Sequence, residues 1–497
     1  MTREDLVEQL LAVVTRLLPQ ALGELAMEDR LRIAGLERFV GAVVVGLREG
    51  LWARVAAHLG AEAERQARMC PCGQRREAQS RPVEVKVLGT TTTFPCTYFY
   101  CRACHVGESP VRRWLGIEDK GTSLELERAL TDLTERMTFG DAVESLEEQQ
   151  RQELDRTQAE RITYRVCDEA ETYLAEVRQD ALAGLAEEGP RPGVTQLQLT
   201  ADGGAIPVGQ LERPPEASCT AATPRTPVRK LPKGTRSIQG REARLVVVRE
   251  PEKVTERVVD AHIAPYNHTE FSGERMLAAA ARAGLGDQTQ IHGVFDMGRW
   301  IHSQFEEQFE PYPRTACADI SHVTAYLTDA GRELVPSQPV VFGMEHKRRL
   351  LDGELEPVLR RLRGHLCDGH CVRTDEGECV VRVALRYLEN NRKYVDNYPA
   401  ILARELPVGS GEAESGIRHI IKKRLDVAGA WTEANGKRML ALISVRASGL
   451  WEDFWRWRDR RDVEAWHRRQ RGEMKSRFRG RPRASPAEVK PAARLAS

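Results

Sequence analysis

The chain has no long hydrophobic run. Its longest apolar stretch, Phe39 to Leu47, is nine residues held between Arg38 and Arg48, far short of the ~20 that span a bilayer, which argues against a membrane protein. Nor does the acidic stretch with Glu4, Asp5 and Glu8 resemble a secretory signal, in which positive charge is followed by an apolar stretch. A cytoplasmic location is expected. Net charge is nearly absent: 74 Lys and Arg against 73 Asp and Glu leave +1 over 497 residues. With 30% of residues charged and 41% hydrophobic, full disorder is excluded. Eleven cysteines are an odd number, so a disulfide framework gives way to metal ligation or simple burial. At about 150 residues per domain, three or four units are expected rather than one.

The small net charge hides an asymmetry. Residues 456–497 hold 14 Lys or Arg against 5 Asp or Glu, a local +9 that leaves −8 on the rest. Trp457, Trp466 and Phe478 interleave with these arginines, a mixture suited to phosphates and bases; a solvated tail is the plainer alternative. A second basic and proline-rich stretch, Pro214 to Lys233, interrupts the middle of the chain.

Apolar residues at Leu6, Leu10, Val13, Val14 and Leu17, and again at Leu31, Leu36, Val40, Val43 and Leu47, follow a helical period. They predict an N-terminal helical or dimerisation element. Then come Cys70-Pro-Cys72-Gly73, two β-rich stretches (Val83 to Val87 and Thr91 to Tyr100) and Cys101-Arg-Ala-Cys104-His105. Two cysteine knuckles separated by strands make the layout of a zinc ribbon, with Cys70, Cys72, Cys101 and Cys104 enclosing one structural Zn²⁺. The first knuckle is one residue tighter than usual, which leaves Cys96 or His105 as replacement ligands. Leu124 to Val177 returns to a helical period. Its segment Thr157 to Val166 predicts a short helix with Gln158, Arg161, Thr163 and Arg165 on polar sides, and a helix-turn-helix and a packed bundle fit it equally.

From Val194 to Asp202, Leu197, Leu199 and Ala201 alternate with Gln196, Gln198, Thr200 and Asp202, the pattern of a half-buried strand that ends on an aspartate. Gly203-Gly204 predicts a turn there. Strands at Ala243 to Arg249 and Arg257 to Ile263, a helix at Gly273 to Ala283 and a strand at Thr289 to Asp296 follow. Two strand-end aspartates of one sheet form a carboxylate pair that needs a cation. A third carboxylate is expected on the helix opened by Gly409-Ser410-Gly411. At 100° per residue Glu414 lies within about 60° of Ile417, Ile421 and Leu425, so Glu414 is expected on the core side and Glu412 in solvent.

Thr200-Ala-Asp-Gly203, Gly293-Val-Phe-Asp296-Met-Gly-Arg-Trp300-Ile301, Asp319-Ile-Ser-His322, Pro407-Val-Gly-Ser-Gly-Glu-Ala-Glu414-Ser, Gly429-Ala-Trp431 and Ser448-Gly-Leu-Trp-Glu-Asp-Phe-Trp455 resemble, in order, the motifs of bacterial insertion-sequence transposases of the ISKra type, within the Mutator-like DDE group. The resemblance runs from about Cys70 to Trp455. It implies an RNase H-like mixed sheet flanked by helices and interrupted by a helical insertion. It also implies a catalytic triad Asp202, Asp296 and Glu414 that binds two Mg²⁺ (or Mn²⁺), with Asp319 and His322 in support. Met297 stands where the family tends to have glycine, and the family's Trp and Glu motif after the first aspartate is replaced by the long insertion, with only Glu242 nearby. The implied reaction is metal-dependent cleavage of double-stranded DNA at element ends and strand transfer into target DNA by a homodimer, in a nucleoid-associated protein without small-molecule substrate or membrane partner. A domesticated DNA-binding protein without catalysis, and a nuclease that cuts but does not join, are the alternatives.

The expected fold is thus multidomain α+β and α/β: an N-terminal helical region (1–66), a zinc-ribbon-like domain (67–120), a helical, DNA-binding candidate (121–190), the catalytic domain (191–455, with a basic insertion at 203–240 and a helical one at 323–405) and a basic tail (456–497). Candidate DNA contacts are Arg225, Arg229, Lys230, Lys233 and Arg236 in the insertion, and Arg468, Arg469, Arg471, Lys475, Arg477 and Arg479 in the tail. Outside the resemblance, Cys367, His370, Cys371 and Cys379 have the residue types of a second Zn²⁺ site, or of a loop rich in Cys and His.

Overall fold

The computed structural model describes residues 8, 11, 12, 15, 33–115, 121–212, 235–253, 255–263, 270–365, 367, 370–426 and 431–470. These fall into two compact units, one within Met1–Thr163 and Trp455–Ser497, the other Tyr164–Phe454. The architecture is mixed α and β. Among the described residues no helix is long and apolar enough to cross a membrane.

In the first unit the helix Ile33–Ala67 takes up the pattern from Leu36 to Leu47. Leu6, Leu10, Val13, Val14 and Leu17 of the first pattern lie outside the described residues, as does Leu31 of the second. Strands β1 (Glu77–Ser80), β4 (Thr97–Cys101) and β5 (Val106–Glu108) form one antiparallel sheet in the order β1-β4-β5, and β2 (Val83–Val87) pairs with β3 (Thr90–Phe94) in a hairpin. The single stretch expected from Thr91 to Tyr100 is two strands, broken at Pro95-Cys96, because proline has no N–H to give to a ladder. Period-two burial puts Val83, Val85, Val87 and Phe94 in a small core with Cys96 and Ala56.

Three helical segments follow, and Ser123 and Thr138 cap Leu124–Thr134 and Phe139–Gln150 by accepting from the Leu126 and Asp141 N–H groups. Leu126, Leu130, Leu146, Leu154, Ala159 and Ile162 make their shared core. The short helix expected at Thr157 to Val166 is the start of a 31-residue helix, Arg156–Ala186. Thr163 is fully buried, and its hydroxyl lies 3.1 Å from that of Thr134, so it is not on a polar side. A small hydroxyl packs where a pair of them can satisfy each other.

The second unit is built on a five-stranded sheet in the order β10-β9-β6-β7-β8, from β6 (Gln196–Glu212), β7 (Thr235–Arg249), β8 (Arg257–His262), β9 (Gln290–Phe295) and β10 (Arg314–Ala318). The first three are antiparallel neighbours, while β9 runs parallel to β6 and β10 parallel to β9. Leu197, Leu199 and Ala201 pack with Met276, Ala279 and Ala280 of the helix Glu270–Arg282. The opposite face is covered too. Gly416 sits against Leu245, Gly436 of the helix Glu433–Ala447 lies beside Ile206, and Ser444 and Ser448 accept from the Ala261 and Val259 N–H groups of β8. Gln198 and Thr200 are therefore buried, and the half-exposed strand expected here has helices on both sides.

Gly203-Gly204 does not turn the chain. Both glycines lie inside β6, paired with Arg244 and Ala243. What they provide is closeness: a Cβ at Gly203 would fall 2.6 Å from the Glu242 carboxylate, and one at Gly204 would fall 2.6 Å from Ile417. Between β10 and Gly411 the chain is helical, with principal helices Ile320–Leu334, Pro339–Leu351, Leu355–Arg363 and Val380–Asn390.

Candidate functional site

Ala201 of β6 pairs with Phe295 of β9, and Phe295 with Ala318 of β10. The next residue in each case is an aspartate: Asp202, which lies within β6 and does not end it as expected, Asp296 just past β9 and Asp319 just past β10. With neighbouring strands ~4.8 Å apart, register alone gathers three carboxyl-bearing residues along one edge of the sheet.

Each is fixed locally. The Gly203 N–H donates to Asp202 Oδ1 at 2.7 Å and the Gly298 N–H to Asp296 Oδ1 at 2.9 Å. Asp296 is followed by Met297 at φ +63°, a left-handed conformation that costs a residue with a Cβ roughly 1–2 kcal/mol. This gives a physical reason for glycine at that position. Asp319 is fully buried and caps the helix Ile320–Leu334, accepting from the Ser321 N–H at 2.7 Å and from the Ser410 hydroxyl. Its role is to hold the polypeptide that leads to Glu414.

Glu414 reaches the site from the face of the sheet. Asp202 pairs with Leu245, and Gly416, two residues after Glu414, packs on Leu245 with no room for a Cβ. The face expected for Glu414 is nevertheless wrong. Glu414 is exposed, whereas Glu412 is half-buried and bound to Arg249 at 2.7 Å. The inward stripe begins with Ala413 and Gly416, and Ile417–Lys422 is a π-helical turn. A π turn holds more residues than an α turn, so counting back from Ile421 and Leu425 at 100° per residue loses the phase.

These groups sense one another. Burial raises the pKa of Asp202, the Gly203 N–H lowers it, the charges of Asp296 and Glu414 raise it further, and His322 lowers it. Asp202 is thus crowded by negative charge on two sides, a situation that a bound divalent cation relieves. Tyr387, on the helix Val380–Asn390, donates its hydroxyl to the Asp296 carbonyl oxygen at 3.1 Å and stacks on Tyr326 at 4.3 Å. Burial and the Asp296 charge both raise the pKa of Tyr326. Neither tyrosine is signalled by the sequence motifs.

The four knuckle cysteines come together, their sulfurs all within 4.8 Å of one another. The Sγ of Cys70 is 3.9 Å from that of Cys104, and Cys72 is 3.6 Å from Cys101. Two thiolates on one tetrahedral zinc, each 2.3 Å from it, lie about 3.8 Å apart, so these four could bind one zinc ion. The tight first knuckle closes through Gly73 at φ +83°. The Cys72 N–H pulls the Cys70 thiol down to about 6, and the Cys72 thiol pushes Cys104 up to about 12, as when one charge is shared within a cluster. The replacement ligands fall away: Cys96 is in the small hydrophobic core, and His105 Nδ1 lies 3.1 Å from the Tyr100 hydroxyl.

The second cysteine group forms with a different histidine. His365, Cys367 and Cys379 bring ligand atoms within 4.8 Å of one another, and Cys371 is 3.2 Å from Cys367. His370 is exposed and is not part of the group. His365 is held instead by the end of the helix Leu355–Arg363, its N–H bonded to the Leu362 carbonyl. Among the described residues no three carboxylates approach one another that closely.

Of the candidate DNA contacts, Arg225, Arg229, Lys230, Lys233, Arg471, Lys475, Arg477 and Arg479 lie outside the described residues, as does Phe478. Arg236 pairs opposite Leu211 in the β6–β7 ribbon, Arg469 lies on the helix Trp451–Gln470, and Arg468 of that helix is exposed. Trp457 is buried with the Arg461 guanidinium over its ring, so it belongs to packing rather than to a stacking surface. Arg458 is buried as well and bonds Glu127 at 2.7 Å.

One buried constellation imitates a nucleophile with its base. His262 Nδ1 is 2.8 Å from Asp260 and its Nε2 is 2.8 Å from the Ser272 hydroxyl. Ser272 is fully buried and also accepts from Arg244, so no substrate meets it. Burial would raise the pKa of Asp260, but Arg275, His262 and Arg178 outweigh it and hold the carboxyl well below the ordinary range. The network is structural. Its Arg244 stacks on Trp300 and bonds Glu242, the acidic residue beside Gly203. No family model and no curated protein matches the chain.

Proposed function

We propose that the protein is a DDE-type DNA transposase with an RNase H-like core, in which Asp202, Asp296 and Glu414 are the catalytic carboxylates and Asp319 and His322 support them. The observation that carries this is the register of β6, β9 and β10, which places Asp202 and Asp296 side by side while Gly416 and Gly204 let the Glu414 helix close on the same strands. The mixed sheet with helices on both faces and a helical insertion before Glu414 is what the resemblance implies.

The like charges of Asp296 and Glu414 beside Asp202 are what a divalent cation would offset. Bound Mg²⁺ or Mn²⁺ supplies Lewis-acid activation of the attacking and leaving oxygens of a phosphodiester. The chain's own part is placement. Asp202 and Asp296 are pinned by the Gly203 and Gly298 N–H groups, and each keeps carboxylate lone pairs beyond the one so engaged. Exposed Glu414 is the group open to solvent and to a polyanion. His322 is near enough to lower the pKa of Asp202, in keeping with a supporting part. Element-end DNA incubated with the full chain and Mg²⁺ should be nicked and then joined to target DNA. Cleavage without joining would favour the nuclease, and tight binding without either step the domesticated binder.

A further inference from the structure

The group between Leu355–Arg363 and Val380–Asn390 has the properties of a second metal centre. Cys367 and Cys371 are 3.2 Å apart, and Cys367, Cys379 and His365 bring ligand atoms within 4.8 Å of one another. At 3.2 Å the sulfurs are well beyond a ~2.05 Å disulfide bond. A disulfide between any two would also leave the third thiol and the histidine unpartnered.

The polypeptide is bent to make this meeting. Arg373 bridges Cys379, the Val380 N–H bonds the Val372 carbonyl, and Gly377 at φ +83° closes the turn. Cys379 is thereby folded back beside Cys371, and both are buried. His365 joins from the preceding helix end. Its Nε2 is buried with no hydrogen-bond partner, and Glu333 Oε1 stands 3.7 Å away, too far for a hydrogen bond. Thiols used merely as small hydrophobic groups do not need an imidazole among them, and a buried ring nitrogen without a partner is costly.

We infer that His365, Cys367, Cys371 and Cys379 bind a structural zinc ion. Three thiolates and one imidazole form a complete tetrahedral set with no position left for substrate. Glu333, whose other oxygen accepts from the Val372 N–H at 2.7 Å, adds a negative charge beside the site. The metal has a defined mechanical role. Cys379 is the residue on which the helix Val380–Asn390 begins, and Tyr387 near its other end touches the Asp296 backbone. The zinc would anchor one end of that helix, and the bond to Asp296 the other. The site stands without the catalytic proposal, because it can be counted as metal.

Elemental analysis of the full-length protein, purified from zinc-supplemented cells and dialysed against metal-free buffer, should find two zinc ions per chain. The double variant Cys367→Ser/Cys379→Ser should hold one, His365→Ala should hold its second ion more weakly against a chelator, and His370→Ala should keep both. Should the double variant not fold, zinc release from the unmutated chain by a mercurial, followed with a chromogenic chelator, still decides the count. One equivalent per chain would overturn the proposal, and so would a second ion lost in His370→Ala but kept in His365→Ala.

Discussion

The hydroxyl of Ser410 donates to a carboxylate oxygen of Asp319, which ties the segment that brings in Glu414 to the end of β10. The Ile320 N–H adds a bond to the Val408 carbonyl at 2.9 Å. Asp319 therefore holds that segment in place. Ser410→Ala should remove a hydrogen bond to a buried charge and cost about 1.5–3 kcal/mol, read as a lower midpoint in urea with an unchanged slope. If the midpoint does not move, the bond does not hold the segment.

Asp296→Asn tests the proposed chemistry. Asparagine keeps the size of the side chain and an oxygen to accept from the Gly298 N–H, but removes a charge that a hard cation needs. Cleavage of element-end DNA should fall by about 10²-fold or more, while DNA affinity stays level or rises slightly as repulsion of phosphates drops. A variant that cleaves like the parent would remove Asp296 from the site.

How much of this site can be read in the sequence depends on which interactions decide each residue. Asp202 and Asp296 are legible because a period-two apolar pattern sets strand register, and register sets neighbours. Gly203-Gly204 misleads because glycine permits both a turn and a close approach, and only the partner at the site, here Ile417, distinguishes them. The face of Glu414 is lost to a π turn that no residue pattern announces. Trp457 looks like surface for nucleic acid because aromatic residues among arginines serve packing and recognition equally well. His370 is favoured over His365 by spacing along the chain, which does not report which histidine a helix end brings back.

The Arg458–Glu127 pair makes a prediction about the first unit. Both side chains are almost wholly buried, and Glu127 also accepts from the Thr122 hydroxyl at 2.7 Å. Arg458→Met strands a buried carboxylate and should cost about 3–5 kcal/mol. Adding Glu127→Leu should recover much of that loss in thermal or urea unfolding. Equal destabilisation by the single and double variants would mean that packing, not charge, is what Arg458 contributes.

Acid should weaken the second unit before it reaches the carboxylate range. Burial lowers the pKa of His262, His292 and His346, so the unfolded chain takes up protons near pH 6.5 that the folded one refuses. Stability from these groups is full above about pH 6.5 and is lost as pH falls toward their depressed folded values. A melting series from pH 8 to pH 5 should show a declining Tm below about pH 6.5. The His292→Gln variant should show a shallower decline if its ring, bonded to Thr315 and the Pro407 carbonyl, carries part of the effect.

The last prediction separates DNA binding from folding, and two buried residues of the basic tail, Trp457 and Arg458, dictate where to cut. Removal of everything after Trp455 would take Trp457 and Arg458 out of a packed unit, so lower affinity could simply report unfolding. Truncation after Gln470 spares both and removes eight Lys or Arg against two Asp or Glu, a net +6. If several of those eight residues meet phosphates, affinity for duplex DNA should weaken, and the slope of log affinity against log salt should shrink by ~0.9 for each phosphate no longer neutralised. The melting temperature should stay at the parent value. A truncated chain that melts normally and binds with the parent's salt slope would show that residues 471–497 neutralise no phosphate, and would turn attention to the basic stretch between β6 and β7.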